Sequence, residues 1–356
     1  LQLALLRQRD QMRSHGAQVR TAGALTKRFQ QALPFRLTDD QQAVIAEIDT
    51  DLTSGIPMHR LVQGEVGSGK TVVAVRATVQ VAEDGGQTAL LAPTEVLASQ
   101  HLRSIVNTLG PDLAADLVPT LLTGGLGAKE RKRAELKVVS GQARIVVGTH
   151  ALLSEKLAFH DLGLVVIDEQ HRFGVGQRDG LRQKGTNPHV LILTATPIPR
   201  TVAMTVFGDV DVSTIRGVPA GRQPITTHVV SLSEHPDWFG RVWSRAEEEI
   251  AKGHQVFVVC SAIDAADADT EAGDDDVPVT RVEELAAQLR QHPQLGKRRI
   301  GVVHGRLDSE EKDRVMTQFQ AGALDLLVAT TVIEVGVDVP QASTMIAMDA
   351  DRFGIS

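Results

Sequence analysis

The sequence predicts an α/β chain of two lobes, each built on a mainly parallel sheet covered by helices. Three observations lead there. The chain has 356 residues, more than one ordinary core accommodates, so two domains are the default. Short apolar runs without alternation recur between longer stretches at helical spacing, the pattern of strands buried on both faces. A concentration of glycine and proline, Gly217-Val-Pro-Ala-Gly-Arg-Gln-Pro224, interrupts this alternation beyond the middle of the chain and reads as a linker.

Taken in order, Leu3, Leu6, Met12, Val19, Leu25 and Phe29 recur loosely at helical spacing ahead of Pro34, which predicts a helical connector over 1–33. The runs Thr88 to Ala92, Ala143 to Val147, Leu164 to Ile167 and Val190 to Leu193 are the expected strands of a first lobe, 34–217. Gln255 to Cys260, Ile300 to Val303, Leu324 to Ala329 and Thr344 to Met348 repeat the pattern in a second lobe, 218–356. Seven acids and no base between Asp264 and Asp276 mark an exposed insertion in that lobe. No short internal repeat is apparent. Leu1 in place of methionine and the stop at Ser356 are read as cuts, which leaves the second lobe incomplete.

Composition narrows the class. With 42% apolar and 23% charged residues the chain can bury large cores and is not a disordered protein. It contains no membrane-length apolar stretch and no leader sequence, so a cytoplasmic protein is expected. The single cysteine, Cys260, follows the apolar run Val256 to Val259 and reads as buried and inert; no internal disulfide can form. A net charge of −7 argues against gripping nucleic acid over the whole surface. The first 36 residues, however, set Arg7, Arg9, Arg13, Arg20, Lys27, Arg28 and Arg36 against Asp10 alone, and such an end favours phosphate unless it is simply a solvated helix.

Gly64-Glu65-Val66-Gly67-Ser68-Gly69-Lys70-Thr71 satisfies G-x-x-x-x-G-K-S/T at every constrained position, follows the short apolar strand Leu61-Val62 and leads into a helical stretch, Val72 to Ala82. Glycines let backbone N–H groups curl around a polyphosphate, and the helix start behind them adds its dipole. Lys70 is the expected partner of the β- and γ-phosphates and the Thr71 hydroxyl a ligand of Mg²⁺. The cofactors expected are therefore ATP and Mg²⁺. A plain glycine turn before a helix is the competing account, and the strand and helix context disfavours it.

Asp168 and Glu169 follow the apolar run Leu164 to Ile167, placing two carboxylates at the carboxyl end of a buried strand, where ligands of open parallel sheets bind. Asp168 suits Mg²⁺ held through water, and Glu169 suits orienting or deprotonating the attacking water. An acidic pair after a strand is usually a solvated loop; the phosphate loop in the same lobe changes that reading.

Asp168-Glu169-Gln170-His171 together with Thr194-Ala-Thr196 resembles motifs II and III of superfamily 2 helicases of the DExH type. Phe35, Thr38 and Gln41 look like their adenine-reading Q motif, and Ala92-Pro93-Thr94-Glu95 like motif Ia. Gly301 to Arg306 resembles motif IVa and Ala329 to Pro340 motif V. The longer strings Asp168 to Val175 and Thr194 to Thr201 are similar to the branch of the family that acts on branched DNA. The resemblance runs from Phe35 to Ser356.

The resemblance implies two RecA-like lobes with ATP between them, held by the phosphate loop on one side and by Gly336 and Asp338 on the other, closing on binding and releasing on hydrolysis. It implies catalytic roles for Lys70, Asp168, Glu169 and His171, and coupling roles for Gln170, Thr194 and Thr196. It places nucleic-acid contacts at Pro93, Thr94, Thr123, Gly124, Thr149, His150, His304, Gly305, Arg306 and Thr330, all to phosphates and without sequence readout. Singly, each of these threonines and glycines also reads as a cap or turn. The implied activity is a DNA helicase or translocase serving forks and Holliday junctions in recombination and repair, as a monomer, with single-strand-binding protein as a further partner. The stretch Asp351 to Ser356 stops before the family's motif VI and its arginines, so turnover by this chain alone is not implied. A translocase of the transcription-repair type and a nucleotide-binding module without turnover stay open as alternatives. A transporter ATPase is set aside, because no L-S-G-G-Q string occurs.

Overall fold

The structure is a computed structural model that describes residues 20–154, 157–168, 184–185, 187–195, 210–216, 225–260, 282–330, 339 and 341–352. The chain divides into two compact units, Leu1–Gln223 and Pro224–Ser356.

Unit 1 opens with α1 (Ala24–Ala32) and α2 (Asp39–Thr53). The start of α2 is fixed locally: the Thr38 hydroxyl accepts from Gln41 N at 3.3 Å while the Gln41 side chain accepts from Thr38 N at 2.9 Å, a capping box that satisfies two otherwise orphaned donors. Then come β1 (His59–Gly64), α3 (Lys70–Glu83), β2 (Gln87–Leu91), α4 (Glu95–Leu117), β3 (Thr120–Leu122), α5 (Ala128–Val139), β4 (Ile145–Gly148), β5 (Leu162–Asp168), β6 (His189–Thr194) and β7 (Asp211–Ile215). The seven strands form one sheet in the order β3-β4-β2-β5-β6-β1-β7, and every pairing in it is parallel.

Burial explains the apolar runs. Leu164, Val165, Val166 and Ile167 are buried, as are Val190 to Leu193, because helices cover both faces of the sheet. Two strands escaped the sequence reading for physical reasons: β3 is three residues long, and β7 (Asp-Val-Ser-Thr-Ile) is an edge strand whose outward positions are polar. The N-terminal basic residues are also not a uniform phosphate-binding surface. Arg20 is 1% exposed and ion-paired to Asp161 at 2.7 Å, and Arg28 pairs with Asp116 at 3.0 Å.

Helix α1 is tied to α3 by one carboxylate. Glu83 accepts from Gly23 N, Leu25 N and Thr26 N, each at 3.1 Å. Burial works against its charged form, but the hydrogen bonds from Leu25 and Thr26 outweigh it and hold the carboxyl below the usual carboxylate range.

Unit 2 contains α6 (Trp238–Ala251), β8 (Gln255–Cys260), α7 (Val282–Gln291), β9 (Ile300–Val303), α8 (Ser309–Gln320), β10 (Leu326–Thr330) and β11 (Ala342–Ala347). Its four described strands run in the order β11-β8-β10-β9, again all parallel. The core gathers Trp243, Ile250, Val256, Val258, Leu285, Leu289 and Val328. Cys260 lies within it, and burial pushes its thiol up to about 12, as an inert side chain requires. The acidic stretch 264–276 and the linker 217–224 lie outside the described residues. Among the described residues, no helix is long and apolar enough to cross a membrane.

Candidate nucleotide and nucleic-acid edge

The phosphate loop is the turn between β1 and α3. Gly67 (φ 82°) and Gly69 (φ 90°) hold left-handed conformations that side chains with a Cβ resist, and Gly69 caps the start of α3. Ser68 N donates to Glu65 O at 3.0 Å, closing the turn. The Lys70 ammonium donates to Gly64 O at 2.7 Å and Glu65 O at 3.0 Å, inside the loop's own curl. The Ser68 hydroxyl is buried and has no hydrogen-bond partner.

Gln41 lies against this loop. It is 2% exposed, and its Nε2 donates to Ser68 O at 2.8 Å while its Oε1 serves the capping box. The residue expected to read adenine thus supports the loop's backbone; Phe35, three positions ahead of Thr38, is half exposed.

Register places Asp168 and Thr194, which the sequence leads one to expect near a nucleotide, relative to the loop. Asp168 pairs with Leu193, and Leu193 pairs with Val62, so β5, β6 and β1 end at the same edge. Two strand spacings separate the Asp168 and Val62 positions, about 10 Å. Thr194, 2% exposed, ends β6 between them, beside Gln63. The Asp168 carboxylate lies 2.7 Å from His101 Nε2, with the two side chains 16% and 13% exposed. Glu169, Gln170, His171 and Thr196 lie outside the described residues, as do Gly336 and Asp338.

These residues fit Mg²⁺ and a triphosphate. Thr71 and Asp168 offer hard oxygen donors of the kind Mg²⁺ takes, and a carboxylate accepts at about four positions, so the His101 contact does not exhaust it. The glycine curl, the helix start and the unpaired Ser68 hydroxyl provide for phosphate.

The other half of the same edge carries the nucleic-acid candidates. Leu122 pairs with Gly148, and Leu91 also pairs with Gly148, so β3, β4 and β2 end together. Pro93 and Thr94 follow β2, and the Thr94 hydroxyl caps α4 by accepting from Leu97 N at 3.3 Å. Thr123 is buried and Gly124 exposed after β3; Thr149 is buried, with its hydroxyl unpartnered, and His150 exposed after β4. In unit 2, Ala329 pairs with Val303, which sets Thr330 and His304 side by side at the ends of β10 and β9. His304 Nε2 donates to Glu283 Oε1 at 2.8 Å, and the exposed Gly305 and Arg306 follow it.

Two residues with no role assigned from the sequence belong to this edge. His101 contacts Asp168, and Glu95 accepts from Gly125 N at 2.7 Å, holding the turn after β3. The available signal was position: a polar side chain in the first two turns of the helix after a central strand lies near the carboxyl edge.

Comparison with known proteins follows this division. The DEAD/DEAH box helicase family matches residues 38–205, and the helicase conserved C-terminal domain matches 242–355. The chain is 51% identical over 335 residues to the ATP-dependent DNA helicase RecG of Mycobacterium tuberculosis, covering 91% of this chain and 45% of that protein. It is 44% identical over 356 residues to RecG of Streptococcus pneumoniae, covering 100% of this chain and 50% of the relative. The chain thus spans about half the length of the curated relatives it matches. A solved structure of RecG bound to a three-way DNA junction superposes with a TM-score of 0.78 at 37% identity, over 97% of this chain and 43% of that one. Mss116p bound to single-stranded RNA shares the fold at a TM-score of 0.62 and 16% identity. With two parallel-sheet units of the RecA-like kind and these relatives, the chain belongs to the RecG family.

Proposed function

We propose that this chain is the motor of an ATP-dependent DNA helicase acting on branched DNA, forks and junctions, in recombination and repair. The observation that carries the reading is the division of one sheet edge: β5, β6 and β1 end in Asp168, Thr194 and the phosphate loop, while β3, β4 and β2 end in the turns proposed to follow a nucleic-acid backbone, of which Gly124 and His150 are exposed. A site for hydrolysis and a track for phosphates then share a single rigid support.

In this reading Lys70 leaves the carbonyls of Gly64 and Glu65 for the β- and γ-phosphates, and the curl from Gly64 through Glu65, Val66, Gly67, Ser68 and Gly69 presents its N–H groups to them. Thr71 and Asp168 hold Mg²⁺, whose bound charge offsets that of the reacting phosphates. Glu169 and His171 serve the attacking water, with Gln170, Thr194 and Thr196 relating that step to the track. Phe35 faces the base while Gln41 supports the loop beside it, and the family resemblance assigns Gly336 and Asp338 to the sugar and phosphates. Pro93, Thr94, Thr123, Gly124, Thr149 and His150, with His304, Gly305, Arg306 and Thr330, contact backbone phosphates, which gives movement without sequence preference. The domains are a helical connector over 1–33 and lobes over 34–217 and 218–356. The protein works in the cytoplasm as a monomer, with single-strand-binding protein as a partner.

The test measures ATP hydrolysis by the full-length protein with no DNA, single strands, linear duplex and a model fork. Greatest stimulation by the fork is expected. Equal rates on all four would overturn the branched-DNA assignment, and stimulation by linear duplex alone would favour a translocase of the transcription-repair type.

A further inference from the structure

We propose that α4 mechanically couples the nucleotide half of the unit 1 edge to its nucleic-acid half, with His101 and Glu95 as its two positioning residues. The inference rests on the function proposed above. Helix α4 begins where β2 ends, and β2 lies between β5 on one side and the β4-β3 pair on the other. From that central place it reaches both ways. His101 takes hold of Asp168 at 2.7 Å, and Glu95 takes hold of Gly125 N at 2.7 Å.

The two grips leave different faces of one helix. His101 lies six positions after Glu95, about 9 Å along the axis and about 240° around it. The break in α4 comes at Gly110 (φ 73°, ψ 170°), beyond both residues, so the stretch between them is uninterrupted helix and moves as a body. An ionised carboxylate only accepts hydrogen bonds, so His101 Nε2 carries the proton toward Asp168 and the imidazole is oriented by it. On the other side a Cβ at Gly125 would come within 2.5 Å of Glu95 Oε2, so glycine is what lets the carboxylate seat against the turn.

Unit 2 repeats the second grip with different atoms. Glu283, in the first turn of α7 after β8, accepts from His304 Nε2 at 2.8 Å at the start of the turn after β9. An acid in the first turn of the equivalent helix thus secures the equivalent turn in both units, although the bonding partner is a backbone amide in one and an imidazole in the other. In unit 1 the same helix also holds the acidic strand end, so fixing Asp168 fixes α4, and fixing α4 fixes the Thr123–Gly125 turn.

The experiment measures, with the full-length protein, the affinity for a model fork with and without a non-hydrolysable ATP analogue and Mg²⁺. Coupled sites typically change each other's affinity by about 5- to 150-fold. His101→Ala and Glu95→Ala are each expected to bring that factor to within about twofold of one. The double variant should do no more than either single, because both cut the same link. Glu95→Gln, whose amide oxygen still accepts from Gly125 N, should retain the wild-type factor, which separates loss of the grip from loss of folding. Unchanged coupling in His101→Ala, multiplicative losses in the double variant, or loss in Glu95→Gln equal to that in Glu95→Ala would each overturn the inference. A wild-type protein whose fork affinity ignores the analogue would instead count against the motor reading itself.

Discussion

Gln87 and Gln255 occupy the same place in the two units, each a buried amide at the first position of its strand that donates both N–H groups to backbone carbonyls. Gln87 Nε2 serves Val138 O at 2.9 Å and Ala143 O at 2.7 Å; Gln255 Nε2 serves Phe319 O and Leu324 O, both at 2.6 Å. In both units these carbonyls lie between a helix end and the strand paired with the glutamine's own. The amides differ at the oxygen. Gln87 Oε1 accepts from His160 N and Asp161 N, whereas Gln255 Oε1 is buried without a partner. Gln87→Leu should therefore destabilise unit 1 more than Gln255→Leu destabilises unit 2, with each buried group left unsatisfied costing about 1–3 kcal/mol. Denaturant unfolding of the two variants measures the difference, and equal losses would contradict it.

Gly69 and Gln41 set a second expectation. A Cβ on Gly69 would overlap the Gln41 side-chain amide, at a φ of 90° that costs a non-glycine residue about 1–3 kcal/mol by itself. Gly69→Ala should lower thermal stability and weaken binding of a fluorescent ATP analogue. Because Gln41→Ala itself removes the bonds to Ser68 O and Thr38 N, the comparison is a cycle: Gly69→Ala should cost less in a Gln41→Ala background than in the wild type, and an equal cost in both would show that Gln41 does not crowd the loop.

The Arg20–Asp161 pair is asymmetric, with side-chain exposures of 1% and 39%. Asp161→Ala strands a buried guanidinium and should cost about 3–5 kcal/mol, the usual result of removing one partner of a buried pair. Arg20→Met leaves a carboxylate that water can reach and should cost less. The order of the two unfolding free energies decides the matter.

Glu249 is held at about 2 by hydrogen bonds from Lys252 and His254, with a further one from Ser343. Its folded value lies below the ordinary 4.5, so its contribution is fully present above that pH and is lost as pH falls toward about 2. Glu249→Gln should lower the melting temperature of the full-length protein at neutral pH and flatten its decline across that acidic window. A decline as steep as in the wild type would assign the acid sensitivity elsewhere.

Thr194 stands between the phosphate loop strand and Asp168. Replacing Thr194 and Thr196 by alanine should leave nucleotide affinity within about twofold, while DNA-stimulated phosphate release falls by about tenfold or more, since an interaction made only during turnover lowers kcat. Parallel loss of binding and turnover would assign these hydroxyls to the nucleotide alone.

How far the sequence reached depended on which interactions are local. The loop from Gly64 to Thr71 is legible because its chemistry is contiguous, and the central strands are legible because burial on both faces leaves unbroken apolar runs. Strand β11 shows the limit: its residues alternate between half-buried and exposed, so the apolar run read from Thr344 to Met348 ends one residue beyond the strand. Gln41 carries the family's signature, yet its bond to Ser68 O joins positions 27 apart that only the folded sheet brings together. His101 and Asp168 are 67 positions apart, and no spacing rule connects them. The equivalence of Gln87 and Gln255 stayed hidden for the opposite reason. It is a repeat of bonding rather than of letters, since the strands that follow share only the β-forming character of their side chains.

Glu83 and Lys70 are the two ends of α3, a straight rod about 21 Å long. One end is the phosphate curl; the other holds three backbone amides at the start of α1, those of Gly23, Leu25 and Thr26. The backbone from Gly23 to Thr26 and the glycine curl at Lys70 therefore sit at opposite ends of one uninterrupted helix, so a displacement of either is felt along the same rod.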